Sequence, residues 1–458
     1  MPHGTIFWRE AKKIWPLLLA LAAFYFLPYS SIDPGLRAEE KFFSMYHRFA
    51  GFLSGWEVLL IIAGGTLLVH ALLAGNVQLT LGKLDSAPAL FLLFAIALAL
   101  GLLHVDGSLL SYGTTEIKRS VIAFLPIFYL VVMYLLVMNF LPNEIAAQAL
   151  LRALTILTTL LATYGLIRLA LILQGRLVTM WPFGLPIVLY DQMVMLYPLI
   201  FTIAALALFN ISNRDARRRW YHGLLWSVLV TFILISARRY NYLLLAAGLL
   251  LTVVAALALQ QWRMKKILLA AMKATVIFMV VLFALRWIAP QAVRGVTQSL
   301  ATLELGSRLS NRYGGDIRRA ELANMFANME RRPYSYLVGM GLGTKWQTLV
   351  EQPLDNFTYP KAYVATSRGW FPQFHLPYVA GLYRFGMLGF AGLLAWMIFY
   401  WHRRWQKLKS LATPQLRAHA LAMMIFLLLI LPNLGDSANP TVAILSGVCM
   451  GILDRLLE

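Results

Sequence analysis

Long apolar stretches alternate with short polar connections along most of this chain. The stretches fall at about 14–30, 57–79, 87–105, 119–141, 149–173, 190–210, 221–237, 241–260, 267–288, 374–401, 417–432 and 440–455. Each is long enough to cross, or nearly cross, a hydrocarbon layer of about 30 Å. Backbone in hydrocarbon must satisfy its own hydrogen bonds, so the stretches predict helices. A membrane barrel would show short alternating segments instead, and the chain lacks them. The expectation is an all-α integral membrane protein of about 12 spans, forming one polytopic domain over 1–458. One segment breaks the pattern. Residues 289–373 are polar, basic and only partly helical. Within them Ile317, Ala320, Leu322, Met325, Phe326 and Met329 repeat at helical spacing,. Residues 346–352 predict a second short amphipathic helix.

Composition agrees with the membrane reading. The chain has 458 residues, 60% of them hydrophobic and 13% charged, and its mean hydropathy is +0.68; soluble domains lie far from these values. The formal charge is +20. It is spread over several connections, which argues against nucleic acid as partner and for lipid headgroups. The connections Arg214–Arg219, Arg263–Lys266 and Arg403–Lys409 are the most basic. With an even number of spans they share a side with Arg9, Lys12 and Lys13, and basic connections mark the cytoplasmic face. Both termini are therefore expected in the cytoplasm, with the first apolar run retained as a span. Residues 289–373 then face outward. A large basic outward loop runs against the usual charge bias, and clustered guanidiniums suit an anion such as phosphate. Cys449, the one cysteine, predicts a small buried residue.

A few residues stand out as candidates for chemistry. Arg238 and Arg239 occupy a tight connection, Ala237–Asn241, between two apolar spans. They either anchor helix ends in lipid phosphate or form a phosphate-binding pair at the outer surface. Arg318 and Arg319 fall in the first turn of the helix expected after Asp316; they either face solvent or point to the same outer site. Arg331 and Arg332, before Pro333, read as loop charges. The run Gly339-Met340-Gly341-Leu342-Gly343-Thr344 allows close backbone approach. It lacks the flanking strand and the Gly-Lys-Ser/Thr spacing of a nucleotide loop, so packing of the loop on the helices is the simpler reading. His375 opens a span directly after the basic loop, and imidazole is suited to proton transfer near neutral pH. His104, Asp106 and Asp191 read as polar residues at helix ends. No compact metal-ligand motif appears, so no metal and no cofactor is expected.

The segment His375-Leu376-Pro377-Tyr378 through Gly386-Met387-Leu388-Gly389 resembles the signature of the O-antigen ligase/polymerase superfamily: a histidine, an aromatic three positions on, and a closing Gly-x-x-Gly. Upstream, Arg318 through Pro333 to Gly339-Met340-Gly341-Leu342-Gly343 resembles that family's arginine, helix, proline and alternating-glycine run. The order of spans, with a large outward loop between the ninth and tenth, is also similar. Leu376 departs from the family's usual asparagine, and the distance from Pro333 to Gly339 is longer than its common pattern. The resemblance implies a metal-independent glycosyltransferase of the C-type membrane fold in the bacterial inner membrane. Its donor would be a glycan on undecaprenyl pyrophosphate, and its acceptor the lipid A core or another glycan. It further implies that Arg238 or Arg239 and Arg318 or Arg319 bind the pyrophosphate, and that His375 serves the acceptor hydroxyl.

Ligase and polymerase of that superfamily differ only in acceptor, and the sequence leaves both open. A transporter of lipid-linked glycans would carry charges at mid-bilayer depth and often internal repeats. A metal-dependent transferase would draw on Asp33, Glu39 and Glu40 of the first outer connection. Neither pattern is as well developed as the outward basic loop.

Overall fold

Helices account for nearly all regular structure. The computed structural model describes residues 14–26, 48–49, 53–54, scattered positions between 58 and 69, 85–103, 115–141, 143–174, 191–209, 216–235, 239–259, 316–349 in most part, 370–371, 377–431 in most part and 440–458. Before residue 300 the described helices are α1 (Trp15–Phe26), α2 (Ala87–Leu103), α3 (Thr115–Phe140), α4 (Glu144–Leu173), α5 (Tyr197–Leu208), α6 (Ala216–Ile235) and α7 (Arg239–Ala258). A 3-10 turn at Asp191–Leu196 leads into α5. Beyond residue 300 lie α8 (Asp316–Glu330), α9 (Ser335–Val338), α10 (Pro377–Leu408), α11 (Pro414–Ile430) and α12 (Pro440–Leu456). Two antiparallel pairs of two-residue strands complete the list: β1 (Arg48–Phe49) with β2 (Leu53–Ser54), and β3 (Trp346–Gln347) with β4 (Trp370–Phe371).

By length and composition, four described segments can cross a membrane: Ala123–Phe140, Glu144–Ile167, Asn241–Ala258 and Val379–Leu408. Shorter apolar helices cover Ala87–Leu100, Val194–Leu208, Tyr221–Ile233 and Pro414–Ile430. This is the helical content of an all-α membrane protein. The expected spans at 57–79 and 267–288 lie outside the described residues, apart from scattered positions in the first.

Local sequence explains where the helices start. The Asn143 carboxamide accepts from Ala146 N at 2.9 Å and the Thr413 hydroxyl from Leu416 N at 3.4 Å; both cap otherwise unpaired first-turn donors. Pro414 then occupies the first helical turn, where its missing N–H costs nothing. Inside α4 the hydroxyls of Thr155, Thr159 and Thr163 each donate to the carbonyl four residues back, at 2.9, 2.8 and 3.0 Å. That return bond lets a polar side chain sit in an apolar helix.

Helices α3 and α12 approach each other closely at two glycines. A Cβ on Gly447 would come within 2.3 Å of the Leu130 carbonyl oxygen, and one on Gly451 within 2.6 Å of Val137 Cγ1. Gly447 and Gly451 are spaced four apart in an apolar helix, the small-xxx-small pattern that lets backbones approach closely.

One end of the bundle is tied by charges. Arg404 is 3% exposed and Asp454 is 0% exposed. Arg404 donates to Asp454 Oδ1 through Nε at 3.0 Å and Nη2 at 2.9 Å, and to Asp85 Oδ2 through Nη1 at 2.8 Å. Asp454 Oδ2 accepts from Ser86 Oγ at 2.6 Å and from Tyr134 OH at 2.8 Å. The guanidinium also lies 3.9 Å from the Tyr400 ring centroid, a cation–π contact. Arg403, exposed, adds a second bond to Asp85 Oδ2 at 2.9 Å. Burial pushes the Asp85 carboxyl pKa up, but bonds and charge from Arg404, then Arg403, outweigh it and hold it below the usual range. The stabilisation from Asp85 is thus present above about pH 4 and is lost as pH falls through the depressed value.

This cluster brings together the start of α2 and the ends of α3, α10 and α12. Arg455 Nη2 donates to the Met138 carbonyl at 2.6 Å and Lys407 Nζ to the Leu457 carbonyl at 3.0 Å.

Three expectations are revised. The basic run Arg403–Lys409 is mostly the last turns of α10, which continues to Leu408, and Arg404 is a core residue rather than a loop charge. Residues 346–347 form a strand in place of the expected helix at 346–352, because Trp346 and Gln347 pair with Phe371 and Trp370; a partner strand decides such a short segment more than its own periodicity does. Arg239 belongs to α7 rather than to the connection before it. Cys449 is buried, as expected.

Candidate functional site

At the end away from the ion cluster, the polar segment folds onto α10. Helix α8 buries Met325 and Met329 against Val379, Ala380 and Tyr383 of α10, with Met340 closing the cluster. The side chain of Asn324, fully buried, accepts from Leu349 N at 2.6 Å. Asn328 Nδ2 donates back to the Asn324 carbonyl at 2.6 Å. A tight turn follows: Arg332 N donates to the Met329 carbonyl at 2.9 Å and Ser335 N to the Arg332 carbonyl at 2.8 Å. The single turn of α9 then leads into the glycine run.

The glycine run meets a break in α10. Gly386 has φ 63° and ψ −174° inside the helix, a region open essentially to glycine. In an unbroken helix the carbonyls of Tyr383 and Arg384 would accept from the N–H groups of residues 387 and 388. Here they accept from Met340 N at 2.7 Å and Gly341 N at 2.9 Å, and Leu342 N donates to the Ala97 carbonyl of α2 at 3.0 Å. The approach leaves no room for side chains. A Cβ on Gly339 would lie 2.3 Å from the Arg384 carbonyl oxygen, and one on Gly386 would lie 2.3 Å from Gly339 N. Gly339, Gly341 and Gly386 all have positive φ. The glycine run is thus a packing device of loop on helix, as its sequence suggested. Gly386→Ala should cost about 1–3 kcal/mol for the backbone conformation alone, and more for the overlap. The check is thermal unfolding in detergent; an unchanged midpoint would mean the break is not needed.

This elbow gathers basic and aromatic groups. Arg384 and Tyr383 are buried, and Arg332 is partly exposed. Phe326 and Tyr336 stack with centroids 6.3 Å apart.

No family model matches the chain, and no curated protein matches it.

Some of the residues singled out from sequence lie on described helices, and others lie outside the described residues. Arg318 and Arg319 lie in the first turn of α8, as expected, and Arg239 is the first residue of α7; the side chains of all three are outside the described residues, as are Arg238 and His375 altogether. Tyr197 OH donates to the Asn241 carbonyl at 3.1 Å, so the first turns of α5 and α7, the latter headed by Arg239, share an end. Among the described residues no group of three or more His, Cys, Asp or Glu lies together as a metal site would need. Sequence reading passed over Arg384. Its signal was present: an arginine two positions before Gly386, inside an otherwise apolar helix start.

Proposed function

We propose that this chain is a metal-independent membrane glycosyltransferase of the O-antigen ligase type. It would move a glycan from undecaprenyl pyrophosphate to an acceptor sugar, the lipid A core, at the outer face of a bacterial inner membrane. The observation that supports this reading is the elbow. The two stretches that resemble the ligase/polymerase superfamily, Arg318–Gly343 and His375–Gly389, are held in backbone contact through Gly339 and Gly386. A site assembled from both stretches requires that contact.

In this scheme Arg238 or Arg239 and Arg318 or Arg319 bind the pyrophosphate. Charge-assisted bonds from guanidiniums stabilise the negative charge that grows on the departing pyrophosphate. His375 takes the proton from the attacking hydroxyl as the new glycosidic bond forms and the bond to pyrophosphate breaks. The lipid tail stays in the membrane, so the chemistry belongs at outer helix ends. A polymerase that uses a second lipid-linked unit as acceptor is the alternative. Twelve spans with both termini cytoplasmic, and residues 289–373 as the outer loop between the ninth and tenth, complete the proposal.

Arg239→Ala and Arg318→Ala should each weaken donor binding by about 1.5–3 kcal/mol, the worth of a hydrogen bond to a charged group. Titration of purified variants with lipid-linked donor checks this; normal binding and normal transfer in both would remove the pair from the site. Loss in Arg238→Ala or Arg319→Ala instead would shift the assignment by one residue. For topology, Thr358→Cys in a chain with Cys449 replaced should label with a membrane-impermeant maleimide in intact spheroplasts. Labelling only after lysis would invert the orientation.

A further inference from the structure

We infer that the elbow Tyr334–Leu342 is a re-entrant segment that sits within the lipid leaflet, its outer side in contact with acyl chains. The ion cluster supplies a common origin for measuring depth. Arg403 is 56% exposed on its side chain and paired with Asp85. An exposed ion pair does not lie in hydrocarbon, so the apolar layer begins at or beyond that level. Along α2, Ala97 is 12 residues past Asp85, about 18 Å at 1.5 Å per residue. Along α10, Gly386 is 17 residues before Arg403, about 26 Å by the same rise. Both fall short of a layer about 30 Å thick. Helix tilt shortens these heights and moves both points deeper, as does any later start of the layer.

The elbow is fixed to those two points. Leu342 N bonds the Ala97 carbonyl, and the Leu337 carbonyl lies 2.4 Å from where a Gly386 Cβ would be. The segment thus dips below the level at which the layer ends. Irregular backbone at such depth is tolerated only when covered by protein. Gly339–Leu342 meet that condition: they are buried, and the N–H groups of Met340, Gly341 and Leu342 are taken by α10 and α2 carbonyls.

The outward side is apolar instead of polar. Leu337 and Tyr334 are each 53% exposed, and Met387 and Leu388, next to the break in α10, are 57% and 63% exposed. Leu337 therefore continues the exposed apolar strip of α10 rather than starting a patch of its own. A water-facing loop would not carry this strip; a lipid-facing one would, with Tyr334 suited to the interface. Exposed Arg331, just before the elbow, is then positioned for lipid phosphate. This placement depends on the membrane reading alone, not on the glycosyltransferase.

The test is a nitroxide at Leu337→Cys in the full chain with Cys449 replaced, reconstituted in phosphatidylcholine–phosphatidylglycerol vesicles. Collision with dissolved oxygen and with a water-soluble nickel chelate is read by power saturation. A label at Leu388→Cys provides the lipid reference and one at Glu330→Cys the aqueous reference. The expected oxygen-to-chelate ratio at residue 337 matches that at 388 and exceeds that at 330. Tyr334→Cys gives an independent reading should Leu337→Cys fold poorly, with a ratio between the two references. A ratio at both positions equal to that at 330, or shielding from both reagents, would overturn the inference.

Discussion

Replacement of His375 by alanine is expected to abolish glycan transfer while leaving expression, folding and donor binding close to wild type. The argument rests on division of labour. On the proposed mechanism the arginines hold the pyrophosphate, whereas His375 acts only on the acceptor hydroxyl. Loss of a positioned base typically slows a reaction by roughly 100- to 10,000-fold, so product should fall to that fraction of the wild-type amount or below detection. The measurement is turnover of the purified variant beside a separate donor-binding titration. Wild-type turnover would remove His375 from the mechanism. Turnover and donor binding lost together would make it a phosphate-binding or structural residue instead.

The second large effect concerns stability. Asp454→Ala should destabilise the bundle by about 3–5 kcal/mol, the range seen when one partner of a buried ion pair is removed. The residue is fully buried and, among the described residues, accepts four hydrogen bonds from three side chains: Arg404 of α10 through Nε and Nη2, Tyr134 of α3, and Ser86 in the turn just before α2. Without it the buried Arg404 charge keeps one carboxylate, Asp85, among the described residues, and the Ser86 and Tyr134 hydroxyls lose this acceptor. The paired replacement Arg404→Leu with Asp454→Leu removes both charges and should recover part of the loss, because a buried pair is worth little over an apolar pair of similar size. Thermal unfolding in detergent distinguishes the cases. An Asp454→Ala midpoint equal to wild type would show that the cluster does not hold this end together.

How much of this was legible beforehand follows from the range of each interaction. The helices were legible because their cause is local: long apolar runs in a chain of mean hydropathy +0.68. Helix α8 was legible for the same reason, from the spacing of Leu322, Met325, Phe326 and Met329. The ion cluster was not. Asp85, Arg404 and Asp454 are scattered along the chain, and Arg404 reads in sequence as one charge in a basic run. The strand at Trp346–Gln347 depends on a partner at 370–371, which no local pattern reveals. The elbow was half legible. The glycines of 339–343 signalled close approach, and Gly386 and Gly389 stood out as a spaced pair. That Gly339 and Gly386 meet each other is a tertiary fact. Of the candidate site, the placement of Arg318 and Arg319 in a first helical turn was legible; the burial of Arg384 and Tyr383 follows from the docking of the loop on α10, a tertiary fact.

The central claim is transfer of a glycan from a lipid-linked donor. Its most direct measurement is a reconstituted assay with purified protein, undecaprenyl-pyrophosphate glycan and EDTA, offering lipid A core in one reaction and a second lipid-linked unit in the other. The account predicts a glycosylated lipid A core in the first reaction, formed without added metal. Product in the second reaction alone would assign the polymerase alternative. No product with either acceptor, from folded protein that binds the donor, would contradict the account.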